Sequence, residues 1–231
     1  MSPDQPTGQA DAASRQRVLA TITGALSDVS PGPEPERTET TAEKISRPAG
    51  PAASGDVIGL FAERCADYGA TVVRLSSGRA TAEAARMLVD RGVRRIALPA
   101  GLLAEAGPAL TNSGIEIVKD DPPLASAELD QLDGVVTACR VAIAETGTLV
   151  LDHSVNQGRR ALTLVPDLHL CLVRGNQVVP DVPQAISRLY PSILAGLPLT
   201  WVSGPSATVD IELTRVEGVH GPRTLLVVIA E

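Results

Sequence analysis

The feature that most constrains the fold is a regular alternation of helical and strand-like segments that begins at residue 55. The segments follow one another in the order DVIGLFAERCADYG, ATVVRL, TAEAARMLVDRG, RRIALPA, LLAEAG and GIEIVKD, which reads helix, strand, helix, strand, short helix, strand. The second helix is expected to end at Gly92. Because the strands are short, continuous apolar runs, they are expected to be buried on both faces of a mostly parallel sheet. The predicted fold class is α/β, Rossmann-like, with helices on both faces of the sheet.

The second half of the chain has a different rhythm. Four strand-like runs follow with little room for helices between them: VVTACRVAI, GTLVLD, RALTLV and LHLCLV. These runs predict antiparallel or mixed additions to the sheet. A helix in PQAISRLYPSILAG, a strand in PLTWVSG and a last apolar strand in TLLVVIAE complete the pattern. The sheet is therefore expected to be mixed.

The first 54 residues are expected to form no part of this domain. Val18, Ile22 and Leu26 recur at helical spacing within residues 14–26, and Ser14 can cap that helix. The segment 27–55 is rich in Pro, Glu, Thr and Ser and has almost nothing to bury, which is typical of a linker. We therefore divide the chain into an N-terminal helix plus linker at 1–54 and one domain at 55–231.

Composition excludes several classes of function. Aromatic residues are 2% of the chain and the formal net charge is -7, so neither stacking platforms nor a basic face for nucleic acid is expected. No stretch approaches the roughly 18 consecutive apolar residues of a membrane span. The sequence therefore predicts a cytoplasmic protein that binds no nucleic acid and has no membrane span.

The cysteine pattern bears on metals and cofactors. Cys65, Cys139 and Cys171 are odd in number, far apart in sequence and without a C-x-x-C arrangement. This pattern disfavours a disulfide framework, a zinc site or an iron-sulfur site in this chain, and favours buried, reduced thiols. Dinucleotide, P-loop and zinc-protease motifs are also absent from the sequence. We expect no metal and no resident cofactor in this chain.

The first candidate site motif is AETGT, which places Glu145, Thr146 and Gly147 at a turn between two apolar runs. A carboxylate at a strand end can act as base, nucleophile or ligand anchor, because open α/β sheets bind ligands outside the carboxyl ends of their strands. The alternative is a turn acid solvated by water.

The second motif is NQGRRALTLVPDLHL. Arg159 and Arg160 precede a predicted strand, and His169 lies in the next strand. Paired arginines can form forked hydrogen bonds with a carboxylate or phosphate. The alternatives are a solvated sheet edge protected by charge and a hydrogen-bonded core histidine.

The third motif is SGPSATVDIE, which follows a predicted strand. Ser203, Gly204, Ser206 and Thr208 are small or hydroxyl-bearing residues where a turn or helix would begin, and such a start offers backbone N–H groups to an anion. The alternative is ordinary capping of a helix by Ser206 or Thr208. Asp210 would share a strand face with Glu212 but not a helix face, so a carboxylate pair there is weakly supported.

The fourth motif is GVHGP, in which flanking glycines leave the His220 imidazole free to approach a ligand. Ser206, His220 and Asp210 could be combined into a hydrolase triad. However, the sequence lacks the G-x-S-x-G turn that usually presents such a serine.

These four motifs, in this order and near these spacings, resemble the LUD-domain family over residues 55–231. The resemblance implies a fold similar to the NagB/RpiA/CoA-transferase-like superfamily. It also implies a bacterial system that oxidises L-lactate to pyruvate, in which partner proteins hold the iron-sulfur clusters. In related CoA-transferases a Glu on a strand-end loop is the nucleophile, and Glu145 is its possible counterpart by analogy of fold.

Two functions are expected from this reading. The first is a non-redox subunit or accessory protein of the lactate-oxidising system; the second is an autonomous enzyme or sensor that binds a small anion, a sugar phosphate or a CoA ester. Glu145, His169 and His220 are the catalytic candidates. The ligand-binding candidates are Thr146, Gly147, Arg159, Arg160, Ser203, Gly204, Ser206, Thr208 and Asp210. An autonomous site requires that Glu145, an arginine, His169, Ser206 and His220 converge.

Overall fold

The computed structural model describes residues 8–27, 56–209, 215–217 and 220–231. The chain divides into two compact units, residues 1–41 and 42–231, which are described separately. The proposed linker beyond Ser27 and the boundary between residues 54 and 55 lie outside the described residues. No helix within the described ranges is long and apolar enough to cross a membrane.

The N-terminal unit contains helix α1, Gly8–Leu26. The helix begins before the predicted start at Ser14, so Ser14 lies inside it and the prediction that this residue caps it is wrong. Val18, Leu19 and Ile22 form the predicted apolar stripe, and their exposed fractions are 59%, 52% and 50%.

The larger unit is built from five helices and twelve strands among its described residues. The helices are α2 (Val57–Asp67), α3 (Ala80–Val89), α4 (Leu103–Asn112), α5 (Ser126–Leu129) and α6 (Val182–Leu194). The strands are β1 (Thr71–Leu75), β2 (Arg95–Ala97), β3 (Glu116–Val118), β4 (Gly134–Ala138), β5 (Val141–Ile143), β6 (Thr148–Leu151), β7 (Leu168–Arg174), β8 (Val178–Val179), β9 (Thr200–Val202), β10 (Ala207–Val209), β11 (Arg215–Glu217) and β12 (Thr224–Ala230).

The main sheet has six parallel strands in the order β1-β12-β7-β4-β2-β3. Successive residues of β12 alternate between two apolar clusters. Leu226 and Val228 pack with α3 and α4 on one face, whereas Leu225 and Val227 pack with α2 on the other. This alternation confirms a parallel sheet with helices on both faces. Gly92, at φ 74°, ends the turn after α3, as predicted.

The later strands do not extend the main sheet. They form a second, four-stranded sheet in the order β8-β5-β6-β9, in which β6 is antiparallel to both of its neighbours. Ala142 faces α2, while Val141 and Ile143 face α6. Because both faces of this sheet are covered by apolar residues, it packs as a separate layer and leaves the main sheet wholly parallel.

The predicted strand in RALTLV is wrong, because Arg160–Thr163 form a 3-10 turn. Backbone hydrogen bonds close the turn, among them one from the Leu162 N–H to the Arg159 carbonyl at 3.0 Å. The Arg160 guanidinium also donates to the Thr163 carbonyl at 3.0 Å. Leu162 is buried beneath it. The segment therefore satisfies its apolar residues without pairing to a neighbouring strand.

Candidate functional site

Since the six strands are parallel, their amino ends lie along one edge of the main sheet and their carboxyl ends along the other. A cavity of about 240 Å³, here called the amino-edge cavity, lies beside the first residues of β7 and β12. Its described lining residues are Arg160, Thr163, His169, Thr200, Trp201, Val202, Ser203, Gly204, Pro205, Ser206, His220, Gly221, Pro222 and Leu225. Arg160, His169, Ser203, Gly204, Ser206 and His220, all predicted site residues, are thus brought together.

Strand β9 leads directly into the loop that forms one wall of the cavity. Gly204 has φ 83°, and a Cβ atom there would lie 2.7 Å from the Tyr68 carbonyl oxygen, so the chain requires glycine at this bend. Further along, the Ser206 N–H donates to the Pro222 carbonyl at 2.8 Å, and the His220 N–H donates to Ser206 Oγ at 3.2 Å. These two bonds fasten the motifs SGPSATVDIE and GVHGP to each other.

Of the turn or helix start that the sequence left open in SGPSATVDIE, the helix is not formed among the described residues 203–209. Residues 207–209 are strand β10, which pairs antiparallel with β11, and Thr208 lies opposite Val216. The prediction that Ser206 or Thr208 caps a helix is therefore wrong. Asp210 lies outside the described residues. The described contact between Ser206 and His220 uses the His220 backbone rather than its imidazole, so it is not the contact of a catalytic triad.

His169 lies at the inner end of the cavity. Its side chain is only 1% exposed, and Nε2 shares a hydrogen bond of 2.7 Å with Thr137 Oγ1. Burial, together with the smaller effect of the nearby Arg160 charge, lowers the pKa of His169 to about 4. The imidazole is therefore neutral near pH 7. It can donate or accept one hydrogen bond to a ligand without adding a positive charge to the cavity.

Arg160 supplies the positive charge of the cavity. Its Nη1 donates to the Thr163 carbonyl at 3.0 Å and to Thr163 Oγ1 at 3.1 Å, and within the described ranges it forms no ion pair. Burial lowers the pKa of Arg160, because the charged guanidinium loses solvation. A guanidinium nevertheless stays protonated in proteins, so the charge persists.

Arg159 is not part of the cavity, although it was predicted together with Arg160. Its Nε and Nη2 donate to the two Asp120 carboxylate oxygens at 2.6 and 2.8 Å, and Nη2 also donates to the Leu124 carbonyl at 2.6 Å. The pKa of Arg159 is raised by the Asp120 hydrogen bonds. Arg159 therefore holds the loop before α5, and its Nε and Nη2 donors are already used within the protein.

The motif AETGT reaches the cavity through hydroxyl groups. Thr148 Oγ1 lies 2.7 Å from Thr146 Oγ1 and 2.7 Å from Ser203 Oγ, so three hydroxyls form a chain that ends at the cavity wall. Gly147 has φ 57°, and a Cβ atom there would lie 2.7 Å from the Arg64 carbonyl carbon. Thr146 therefore supports the wall through this chain of hydroxyls, whereas Gly147 lies against α2, and neither residue is among the described lining of the cavity.

Glu145 does not converge with the other candidates. It lies exposed in the turn between β5 and β6, and its backbone N–H donates to the Pro180 carbonyl at 3.0 Å. It is not among the described lining residues of the cavity. The convergence expected for an autonomous site is thus met by Arg160, His169, Ser206 and His220, but not by Glu145.

The sequence reading missed His153. This residue has φ 57°, a left-handed conformation that is uncommon outside glycine. Its Nδ1 lies 3.0 Å from the Gly158 carbonyl oxygen and its Nε2 lies 2.8 Å from Thr200 Oγ1, so it supports the β9 side of the cavity. The polar run DHSVNQG directly after an apolar strand was the available signal. Thr137 was also missed, because nothing local pairs it with His169.

The three cysteines are free and buried, as predicted, and they share one apolar cluster below α2. Burial raises the pKa of Cys65 to about 12. The pKa of Cys171 is raised mainly by a hydrogen bond with Cys139 and, to a smaller extent, by burial. No group of three or more metal-ligating side chains occurs within the described ranges.

A second cavity, of about 440 Å³, lies at the opposite edge of the main sheet and is here called the carboxyl-edge cavity. It adjoins the last residues of β4, β7 and β12, which are Ala138, Arg174 and Ala230. Its arginine is already paired, since Arg174 Nη2 donates to Glu105 Oε2 at 2.5 Å. None of the predicted site residues lines it.

Comparison with known proteins places these residues in a family context. The LUD domain model matches residues 58–230. Lactate utilization protein C of Deinococcus radiodurans is 47% identical over 179 residues, covering 78% of this chain and 82% of that protein. Lactate utilization protein C of Bacillus licheniformis is 30% identical over 138 residues, which cover 57% of this chain and 56% of that protein.

A solved structure is also similar. The crystal structure of a DUF162 family protein from Deinococcus radiodurans aligns with a TM-score of 0.65 and 40% identity, covering 76% of this chain and 96% of that chain. All described lining residues of the amino-edge cavity fall inside the range that the LUD domain model matches.

Proposed function

Because the chain belongs to the LUD-domain family, we propose that it serves in lactate utilisation as a non-redox subunit or accessory protein of a system that oxidises L-lactate to pyruvate. The observation that supports this role most strongly is the 47% identity to a lactate utilization protein C over 82% of that protein's length. The electron acceptors, which we assign to iron-sulfur clusters, belong to partner proteins in this proposal.

The amino-edge cavity is the part of the chain that we assign to this role. Its described lining brings one arginine, two histidines and several hydroxyls from three sequence motifs into about 240 Å³. Pockets for drug-sized ligands measure roughly 300–1,000 Å³, so this cavity suits a metabolite of few atoms. Its polar groups can orient such a molecule, while removal of electrons from lactate requires the partner proteins.

The test is reconstitution. The full chain, carrying an affinity tag, is co-expressed with the iron-sulfur proteins of a lactate-oxidising system and purified through the tag. We expect the cluster-bearing proteins to copurify, and lactate-dependent dye reduction to be found in the complex but not in this chain alone. Dye reduction by the purified chain alone, or failure to associate with the cluster proteins under any condition, would contradict the proposal.

A second candidate is a metabolite sensor or enzyme that acts without partners. It is favoured by one observation, that Arg160, His169, Ser206 and His220 converge on one cavity. This candidate predicts a saturable ligand response, or turnover of a small anion, in the isolated protein. The reconstitution separates the two, because a sensor or autonomous enzyme needs no cluster-bearing partner.

A further inference from the structure

We propose that the amino-edge cavity binds a short monocarboxylate that bears a 2-hydroxyl or 2-oxo group, with Arg160 holding the carboxylate. The choice of a 2-oxygenated acid rests on the proposed function in lactate utilisation. The choice of an anion rests on the described residues alone.

The charge of the cavity is the first argument. Among the described lining residues, Arg160 is the one arginine and there is no Asp or Glu. The Arg160 guanidinium spends Nη1 on Thr163, whereas Nε and Nη2 donate to no described residue. A guanidinium with two neighbouring donors available can form the forked pair of hydrogen bonds that a carboxylate accepts. An anion bound there would also offset the solvation that Arg160 has lost.

Neutral polar groups lie in the same cavity as Arg160. Ser203 and Ser206 present hydroxyls to the cavity, and His169 lies buried beside Arg160 with Nε2 engaged by Thr137. The Nδ1 atom of His169 makes no hydrogen bond to another described residue, so it can serve a ligand oxygen. Groups of this kind recognise a hydroxyl or keto oxygen next to a carboxylate, and they add no further positive charge.

The carboxyl-edge cavity supplies a contrast within the same protein. It is larger, and its lining includes Glu105 and Glu231 as well as Arg174. Both acids are paired with arginines, Glu105 with Arg174 at 2.5 Å and Glu231 with Arg74 at 2.6 Å. An added carboxylate would have to displace one of these acids. Of the two cavities, the amino-edge cavity is therefore the one that offers an anion an arginine without a described acidic partner.

The experiment is calorimetric titration of the full-length protein with L-lactate, pyruvate, propionate and inorganic phosphate. Propionate has the carboxylate but lacks the 2-oxygen. We expect saturable binding of L-lactate or pyruvate, with propionate at least about tenfold weaker because the site's hydroxyls and imidazole lose a partner. Arg160→Gln should weaken binding about 10- to 100-fold, the range for loss of a charged hydrogen-bonded pair.

Matched variants guard against an unfolded mutant. Arg160→Lys keeps the charge without the fork and should give an intermediate affinity, while Arg174→Gln removes one positive charge from the other cavity and should leave binding unchanged. Thermal unfolding of each variant checks that it is folded. Unchanged lactate affinity in Arg160→Gln, binding of phosphate without either acid, or binding of none of the four would overturn the inference. Because copurification with cluster proteins does not depend on this result, failure here is distinguishable from failure of the proposed function.

Discussion

The two edges of the main sheet present cavities of opposite character. The carboxyl-edge cavity has about 440 Å³, and its charged side chains are tied to one another in ion pairs. The amino-edge cavity has about 240 Å³, and its arginine has no acidic partner among the described residues. Open α/β sheets usually bind ligands at the carboxyl ends of their strands. Here Arg160, His169, Ser206 and His220 gather at the amino ends, so the candidate site lies at the edge opposite to the one that this rule favours.

The topology explains why the chemistry is at this edge. The 3-10 turn with Arg160 precedes β7, the loop with His220 precedes β12, and both strands begin at the amino edge. Strand β9 of the second sheet brings Ser203 and Ser206 to the same place. The second sheet and the loops before two central strands therefore build the site together.

The largest expected effect is a loss of stability at acid pH, and it comes from His169 at the amino edge. His169 has a folded-state pKa of about 4, against an ordinary value of 6.5. Between these values the unfolded chain binds a proton that the folded chain does not, so stability is full above pH 6.5 and falls as the pH drops toward 4. At about 1.4 kcal/mol per pKa unit, the loss is about 3 kcal/mol.

Denaturant unfolding of the wild type and of His169→Gln across this pH window measures the effect. Glutamine can keep a hydrogen bond with Thr137 but does not titrate, so the variant should lose less stability between pH 6.5 and 4. Parallel curves for the two proteins would show that His169 does not titrate as described.

The glycines beside the two cavities should respond differently to a methyl group. Gly204→Ala combines a left-handed φ of 83° with a contact of 2.7 Å to the Tyr68 carbonyl oxygen, and it should cost about 2 kcal/mol or more. Gly78 lies beside the carboxyl-edge residue Ser77 and has open space at its Cβ position, so Gly78→Ala should change stability by less than about 0.5 kcal/mol. Thermal unfolding measures both. Equal melting temperatures for the two variants would contradict the inference that the amino-edge loop requires glycine at residue 204.

The adjacent arginines should separate stability from binding. Arg159→Gln loses two charged hydrogen bonds to the mostly buried Asp120 and should cost about 1–2 kcal/mol, discounted for the partial exposure of Arg159. Arg160→Gln loses only bonds to Thr163 and should unfold close to the wild type, while losing lactate affinity. A strongly destabilised Arg160→Gln protein that still binds lactate would reverse these assignments.

The smallest effect is expected at the carboxyl edge. Arg174 and Glu105 are about half exposed, so Arg174→Gln should cost less than about 1 kcal/mol. A loss as large as that for Arg159→Gln would mean that this ion pair is more important to the fold than its exposure suggests. The measurement is the free energy of unfolding at low and moderate salt, because screening should weaken this pair.

The sequence predicted those parts of the fold that depend on local periodicity. Each helix and strand of residues 56–118 follows from the spacing of its apolar residues, because burial on one or two faces repeats along the element. The two wrong elements had competing partners. Backbone hydrogen bonds within the segment, such as that from the Leu162 N–H to the Arg159 carbonyl at 3.0 Å, make RALTLV a turn. Pairing with β11 makes residues 207–209 a strand instead of a helix start.

The sequence predicted most of the candidate site residues, but it did not show which of the predicted residues line the cavity. Arg159 and Arg160 look equivalent in sequence, and only Asp120, 39 positions from Arg159, distinguishes them. Glu145 was interpreted as a strand-end carboxylate, but its turn joins β5 and β6 of the second sheet. From this turn, Thr146 contributes to the chain of hydroxyls and Glu145 does not. His153 was missed because its role depends on Thr200, which is remote in sequence. Tertiary contacts, rather than motifs, decide which polar residue remains available to a ligand.

The most direct measurement of the central claim is a map of backbone amide chemical shifts during titration of the isotope-labelled protein with L-lactate. We expect the largest saturable shifts on the backbone amides of Ser203, Gly204, Ser206, His220 and Gly221, and we expect these shifts to disappear in Arg160→Gln. Saturable shifts confined to residues 174–177 would place the ligand in the carboxyl-edge cavity instead. That result would contradict the assignment of the functional site to the amino edge.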